Sequence, residues 1–143
     1  MDLPLRGDKV LQLIPQRFPM VMVDALLEYS ETKVLSELEV RTENIFLQEG
    51  RLQESGLLEH MAQTVAMHTG YSFFIRHETA PTGYIGSIQK AEISRLPELG
   101  ETICSEAEII QEFMGVTLVD ICTRANGHIL ATAQMKTVIA STT

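Results

Sequence analysis

The feature that most constrains the fold of this chain is one long, mostly apolar segment with helical spacing in its middle. From residue 57 onward, apolar side chains recur with the 3.6-residue period of an α-helix. They are Leu57, Leu58, Met61, Ala62, Val65, Ala66, Tyr71 and Phe74. The pattern predicts a helix that begins at residues 53–55 and ends near residue 75. Because apolar side chains cover most of its circumference, we expect other elements to wrap it.

The segments on either side of this helix follow the two-residue period of β-strands. Before the helix we expect a short helix at residues 8–14, a buried strand at 20–29 and a second strand at 33–41, followed by an irregular polar stretch at 42–55. After it we expect four strands, at residues 84–96, 102–110, 116–124 and 128–140, with a hairpin turn at Asn126-Gly127. The order predicts an α+β fold in which a curved antiparallel sheet wraps one central helix.

Composition limits the classes to which the chain can belong. The chain has 143 residues, 45% of them hydrophobic and 21% charged, so we expect one globular domain over residues 1–143. Eleven basic against 19 acidic residues give a net charge of −8, which argues against a nucleic-acid binder. The two cysteines favour a reducing compartment and are too few for a structural zinc site. We expect a cytoplasmic protein without a membrane span, a metal or a cofactor.

Four polar side chains interrupt the apolar helix: Glu59, His60, Gln63 and His68. Glu59 and Gln63 are four residues apart and therefore share one face of the helix. A buried carboxylate needs a partner, which would suit a catalytic group. A solvated acid in the first helical turn, stabilised by the helix dipole, explains Glu59 equally well. Spacing alone leaves both interpretations open.

Four short motifs, in order, resemble those of the hotdog-fold β-hydroxyacyl-acyl carrier protein dehydratases. They are IPQRFPM at residues 14–20 with VD at 23–24, LLEHMAQ at 57–63, GSIQKA at 86–91, and RLP at 95–97 followed by GE at 100–101. The resemblance covers residues 10–139. It implies a hotdog fold, a dimer or a multiple of dimers with active sites at the subunit interface, and an acyl carrier protein or coenzyme A thioester as substrate.

The resemblance also implies roles for residues of this chain. Glu59 would transfer protons during dehydration and Gln63 would orient it. Backbone amides near Gly56 would face the thioester oxygen. Gln16 and His60 are further candidates for orienting or binding the substrate.

Two departures from the family pattern bear on the mechanism. Relatives usually carry a catalytic His in a loop before the helix, whereas residues 46–56 contain none, and Gln16 stands where their motif has another His. The short loop resembles the divergent dehydratases associated with aryl polyene and flexirubin-type pathways. Two alternatives to a dehydratase stay open, a hotdog acyl thioesterase and a catalytically inactive acyl-binding or partner subunit.

Docking of an acidic carrier protein on a chain of net charge −8 would require a local basic patch. The candidates, which are equally well explained as dispersed surface charges, are Arg17, Arg51, Lys90 and Arg95.

Overall fold

A computed structural model describes residues 3–139. Its central element is helix α1, which spans Glu54–Ile75. A 3-10 helix covers Gly7–Gln12. The strands of residues 3–139 are β1 (Leu5–Arg6), β2 (Ala25–Tyr29), β3 (Lys33–Glu39), β4 (Leu47–Gln48), β5 (Arg51–Leu52), β6 (Gly83–Ile93), β7 (Thr102–Phe113), β8 (Val116–Ala125) and β9 (His128–Ile139).

Seven of these strands form one antiparallel sheet in the order β1-β2-β3-β7-β8-β9-β6, and β4 pairs with β5 as a separate hairpin. The predicted α+β arrangement of one long helix and a curved antiparallel sheet is confirmed. Strand β6 lies at one edge of the sheet, where β9 is its hydrogen-bonded neighbour. The turn at Asn126-Gly127 is also confirmed, since both residues have the positive φ angles that a tight hairpin of this kind requires.

Helix α1 packs on the inner face of this sheet, and the side chains that it buries lie on more than one side of its axis. Leu57, Met61 and Met67 are fully buried, as are the polar side chains of His60 and Gln63. The sequence prediction that other elements wrap this helix is therefore confirmed. Within residues 3–139, no helix combines the length and the apolar character that a bilayer span needs.

The predicted strand over residues 20–29 is wrong in its first half, because β2 begins only at Ala25. The backbone of residues 20–22 instead forms hydrogen bonds with a side chain of α1. The Met22 N–H donates to Gln63 Oε1 at 2.7 Å, and Met20 O accepts from Gln63 Nε2 at 2.8 Å. A backbone whose hydrogen bonds go to helix side chains cannot also join a strand ladder. The apolar pattern indicated burial correctly but could not indicate the partner.

The polar stretch at residues 42–55 is more ordered than predicted. It contains the two-residue strands β4 and β5, and the side chain of Gln53 stabilises their turn by donating to the carbonyl oxygens of Gln48 and Arg51, both at 3.0 Å. Strands this short carry too little alternation for a periodicity argument. The helix predicted at residues 8–14 is present as the shorter 3-10 helix.

Gly70 marks the closest approach between α1 and the segment that follows the 3-10 helix. A Cβ at this position would collide with the backbone carbonyl of Leu13, which cannot rotate away. We expect Gly70→Ala to lower the free energy of unfolding by about 2 kcal/mol, because an overpacking cost of about 3 kcal/mol exceeds a gain of about 1 kcal/mol in helix propensity. Denaturant titration measures the difference. Ser72→Ala, two residues along the same helix, is the control and should change stability by less than about 0.5 kcal/mol.

Candidate active site

The centre of the site is the pair formed by Glu59 and Gln63 on the first half of α1. Their spacing of four residues places them on one face of the helix, and Gln63 Nε2 donates to Glu59 Oε2 at 2.8 Å. Glu59 is half-buried, whereas Gln63 is fully buried. The carboxylate therefore faces an accessible space while a buried amide behind it restricts its orientation.

Both side-chain N–H groups of Gln63 already donate hydrogen bonds within the protein. Its Nε2 carries two hydrogens, and these go to Met20 O and to Glu59 Oε2. Its Oε1 accepts from the Met22 N–H. Because only one orientation of the amide satisfies all three contacts, Gln63 can orient Glu59 but cannot also donate to a substrate oxygen.

Glu59 lies on the wall of a cavity of about 520 Å³. The cavity runs along α1 between the helix, the segment of residues 11–17 and the ends of β6 and β9. Its lining is mixed: apolar residues, among them Ala62, Ala66 and Gly70 on the helix side, alternate with polar ones that include four threonines. A single carboxylate on a partly apolar wall suits a site that binds an acyl chain and performs acid–base chemistry at one point.

A second cavity of about 280 Å³ lies beside residues 65–73 of α1 and the flanking residue Arg76. Five residues line both spaces: Val65, Thr69, Thr117, Thr137 and Ile139. A third, shallow groove, which residues 45–48 and 53–55 line, contains none of the residues predicted to orient or bind the substrate. The threonines that line both cavities, Thr69 on α1, Thr117 on β8 and Thr137 on β9, could not be identified from sequence, because single threonines in a helix or a strand carry no distinctive spacing.

Gln16 lines the same cavity as Glu59. Its Oε1 is buried and has no hydrogen-bond partner within residues 3–139. A buried amide oxygen without a donor is costly, so this atom is an acceptor available to a bound molecule. The structure thus brings Gln16 and Glu59 to one space although 43 residues separate them.

His60 points away from the cavity into the core, where it is completely buried. Its Nδ1 lies 2.7 Å from Met22 O and its Nε2 lies 2.9 Å from Ser105 Oγ. Burial lowers the pKa of His60 to about 4, against the smaller opposing effects of the Met22 carbonyl and the charge of Asp24. His60 is therefore neutral at pH 7, and its ring does not reach the space that Glu59 faces.

Gly56 also lies outside this cavity. It is buried, and a side chain at this position would collide with Phe46 and Leu52. Close packing of the helix start against the β4–β5 hairpin thus explains the glycine. No histidine lines the Glu59 cavity within residues 3–139: the ring of His68 stacks on Tyr29, and His128 is exposed at the start of β9.

The four basic residues considered for carrier docking occupy different environments. Arg17 is exposed, lines the cavity and donates to the carbonyl oxygens of Ile14 and Gln16. Arg95 donates from its two terminal guanidinium nitrogens to the carboxylate of Glu101, at 2.6 and 2.8 Å. Lys90 borders a groove on the outer sheet face that Glu106, Glu108 and Asp120 also line, and Arg51 is exposed on β5. Of the four, Arg17 is the one that combines exposure with a place at the cavity.

Comparison with known proteins supports the hotdog fold. The chain superposes on a chain of the dehydratase heterocomplex ApeI:P from Xenorhabdus doucetiae with a TM-score of 0.87 at 18% identity, covering 99% of this chain and 94% of that one. It also superposes on the uncharacterized protein PH1136 from Pyrococcus horikoshii with a TM-score of 0.71 at 13% identity, covering 98% and 96%.

Sequence comparison identifies the family. The chain is 27% identical over 139 residues to the 3-hydroxyacyl-[acyl-carrier-protein] dehydratase FabZ of Yersinia enterocolitica. The alignment covers 92% of this chain and 81% of that protein. A family model named ApeP-like and described as ApeP dehydratase matches residues 8–142. The chain therefore belongs to the ApeP-like family of hotdog-fold dehydratases.

Proposed function

We propose that this chain dehydrates 3-hydroxyacyl thioesters and that Glu59 is its catalytic residue. The observation that carries the proposal is the Glu59 carboxylate, which the fully hydrogen-bonded amide of Gln63 orients on the wall of a partly apolar cavity. Membership of a dehydratase family favours this reaction over thioester hydrolysis and over an inactive partner subunit.

The proposed reaction removes one proton from C2 and the hydroxyl group from C3 of the acyl chain. The Glu59 carboxylate takes the C2 proton, the electron pair of that bond forms the C2–C3 double bond, and the protonated Glu59 returns the proton to the leaving hydroxyl, which departs as water. Both steps are assigned to this one group, which is the single carboxylate on the cavity wall within residues 3–139. Gln63 keeps the carboxylate in place throughout, since its other contacts are all to backbone.

The cavities along α1 fit an acyl chain that enters beside Glu59 and extends toward the far end of the helix. The space of about 280 Å³ shares five lining residues with the space of about 520 Å³, and a longer chain is proposed to extend toward it. Gln16 Oε1, a buried acceptor that lines the same cavity, is proposed to accept a hydrogen bond from an N–H or O–H group of the substrate.

An acyl carrier protein is the proposed donor of the acyl group, and Arg17 is its proposed contact. Arg17 is exposed at the cavity, and its positive charge would attract an acidic carrier to a chain whose net charge is otherwise repelling.

We further propose a homodimer formed through β6, because the outer side of this edge strand pairs with no strand within residues 3–139. The free thiols of Cys104 and Cys122 suit the reducing cytoplasm.

Product analysis tests the proposed reaction. We expect the protein to convert a 3-hydroxyacyl thioester to an enoyl thioester with the carrier thiol still acylated, and to act faster on the carrier-linked than on the coenzyme A-linked substrate. Mass spectrometry of the carrier measures the loss of one water.

The control substrate is the matching acyl thioester without the 3-hydroxyl group, which only a thioesterase can consume. Release of free acid and thiol from both substrates would show hydrolysis instead of dehydration. No product from either substrate would favour the inactive partner subunit and contradict the proposal.

A further inference from the structure

His60 is the one histidine within residues 3–139 that is completely buried, and its side chain contacts two other parts of the chain. From α1 it reaches backward to the carbonyl oxygen of Met22 and across to Ser105 on β7. Ser105 Oγ in turn lies 2.6 Å from Thr123 Oγ1 on β8. The side chains of Ser105 and Thr123 are both fully buried.

The partners of His60 determine which ring nitrogen carries the proton. A carbonyl oxygen can only accept, so His60 Nδ1–H donates to Met22 O. The neutral ring then accepts at Nε2 from the Ser105 hydroxyl, which itself accepts from the Thr123 hydroxyl. Every polar atom of this series has a partner, so the series forms a complete link from the sheet to residue 22.

The link ends on the segment that holds Gln63. Residue 22 accepts from His60 through its carbonyl and donates to Gln63 Oε1 through its N–H, and residue 20 accepts from Gln63 Nε2. Residues 20–22 are not part of a strand, so no ladder fixes them. Besides the bond from the Met20 N–H to Arg17 O and the contact of Asn44 with the Met22 sulfur, they are held by α1 side chains. Of these side chains, His60 is the one that a further hydrogen bond anchors to the sheet.

A second polar contact between helix and sheet provides a comparison. Ser36 on β3, Ser105 on β7 and Thr123 on β8 lie side by side in register on the inner face of the sheet. Thr64 of α1 contacts Ser36 Oγ at 2.6 Å and donates to the carbonyl oxygen of His60. This contact joins the same helix to the same row of the sheet without touching residues 20–22.

We propose that His60, anchored by Ser105 and Thr123, is a positioning residue that fixes residues 20–22 and thereby holds the Gln63 amide against Glu59. It acts through backbone and Gln63, and not by proton transfer to substrate. Its kinetic consequence rests on the proposed dehydratase function, whereas its structural consequence does not.

The test compares two matched buried serines. Ser105→Ala removes the anchor of His60, and Ser36→Ala removes the contact of Thr64 from the same row. We expect S105A to lower kcat about 10- to 100-fold with KM changed less than about 2-fold, because catalysis is sensitive to small displacements of the reacting group. S36A should leave kcat within about 2-fold of the original protein, since its contact with Thr64 does not reach residues 20–22.

Hydrogen exchange at the Met22 amide gives a readout that needs no activity. In S105A this amide should exchange about 10-fold faster or more, because its bond to Gln63 opens more often, while in S36A it should not. His60→Asn retains a donor near the position of Nδ1 and should keep more of kcat and of the Met22 protection than His60→Leu.

Equal loss of kcat in S105A and S36A, or unchanged Met22 exchange in both S105A and H60L, would overturn the proposal. If the original protein fails to dehydrate any 3-hydroxyacyl thioester, the proposed function fails, and the Met22 exchange rates still decide the positioning role.

Discussion

Replacing Glu59 with glutamine is expected to lower the kcat for dehydration of a 3-hydroxyacyl thioester by about 10³-fold or more. Removing a general acid–base group typically costs 10²- to 10⁴-fold, and here one carboxylate is proposed to perform both proton transfers. A loss of 10³-fold corresponds to about 4 kcal/mol of activation free energy. Steady-state formation of the enoyl thioester measures the effect.

The E59Q protein should remain folded, which makes the result interpretable. The amide oxygen of a glutamine at this position can still accept from Gln63 Nε2, so the contacts of Gln63 to residues 20 and 22 are retained. The substitution keeps the volume and the shape of the side chain and removes its capacity to take a proton at neutral pH.

Glu54→Gln is the matched control for E59Q. Glu54 is an exposed acid in the first turn of the same helix and does not line the Glu59 cavity. It should retain kcat within about 2-fold, because a surface charge at that position contributes mainly to the helix dipole interaction. Full activity in E59Q, or equal losses in both variants, would remove Glu59 from the catalytic role.

The elements of the fold with regular spacing could be predicted from sequence, and so could one side-chain pair of the site. The apolar period of residues 57–75 indicated a wrapped helix, and α1 spans Glu54–Ile75. The spacing of Glu59 and Gln63 placed them on one helix face, where they are hydrogen-bonded. Both inferences succeeded because helix geometry fixes the relation between residues three or four positions apart.

Contacts between distant residues could not be predicted in the same way. His60 meets Met22, 38 residues earlier, and Ser105, 45 residues later, and no local period records such pairs. The same limit explains the incorrect strand at residues 20–24: an apolar run indicates burial but does not state whether a strand or helix side chains satisfy its backbone. Gln16 likewise reaches the Glu59 cavity through tertiary packing alone.

His60 has a second measurable consequence, a loss of stability in mild acid. Its pKa is about 4 in the folded protein because of burial, against 6.5 for an unperturbed histidine. Between these values the unfolded chain binds a proton that the folded protein does not, so the free energy of unfolding falls as pH falls. The total loss between pH 7 and pH 4 is about 3 kcal/mol, from a difference of about 2.5 in pKa at 1.36 kcal/mol each.

Above pH 4.5, we assign the pH dependence of the free energy of unfolding to His60. The pKa of Glu101 is lowered from 4.5 to about 2, mainly by its hydrogen bond from Arg95, so its contribution to stability is lost only as pH falls below 4.5. Denaturant titrations at several pH values from 7 to 4.5 should therefore show a steady decline in the original protein. His60→Asn should flatten this decline, whereas His128→Gln, which removes an exposed histidine, should leave it unchanged.

An independent measurement covers the case in which the H60N protein is too unstable to titrate. Nitrogen chemical shifts of the His60 ring in the original protein report its protonation directly, and they should show a neutral ring with its proton on Nδ1 down to about pH 5. A ring that takes up a proton near pH 6.5 without loss of stability would contradict the burial argument. It would also remove the basis for the hydrogen-bonded series from Thr123 to Met22, because a protonated Nε2 can no longer accept from Ser105.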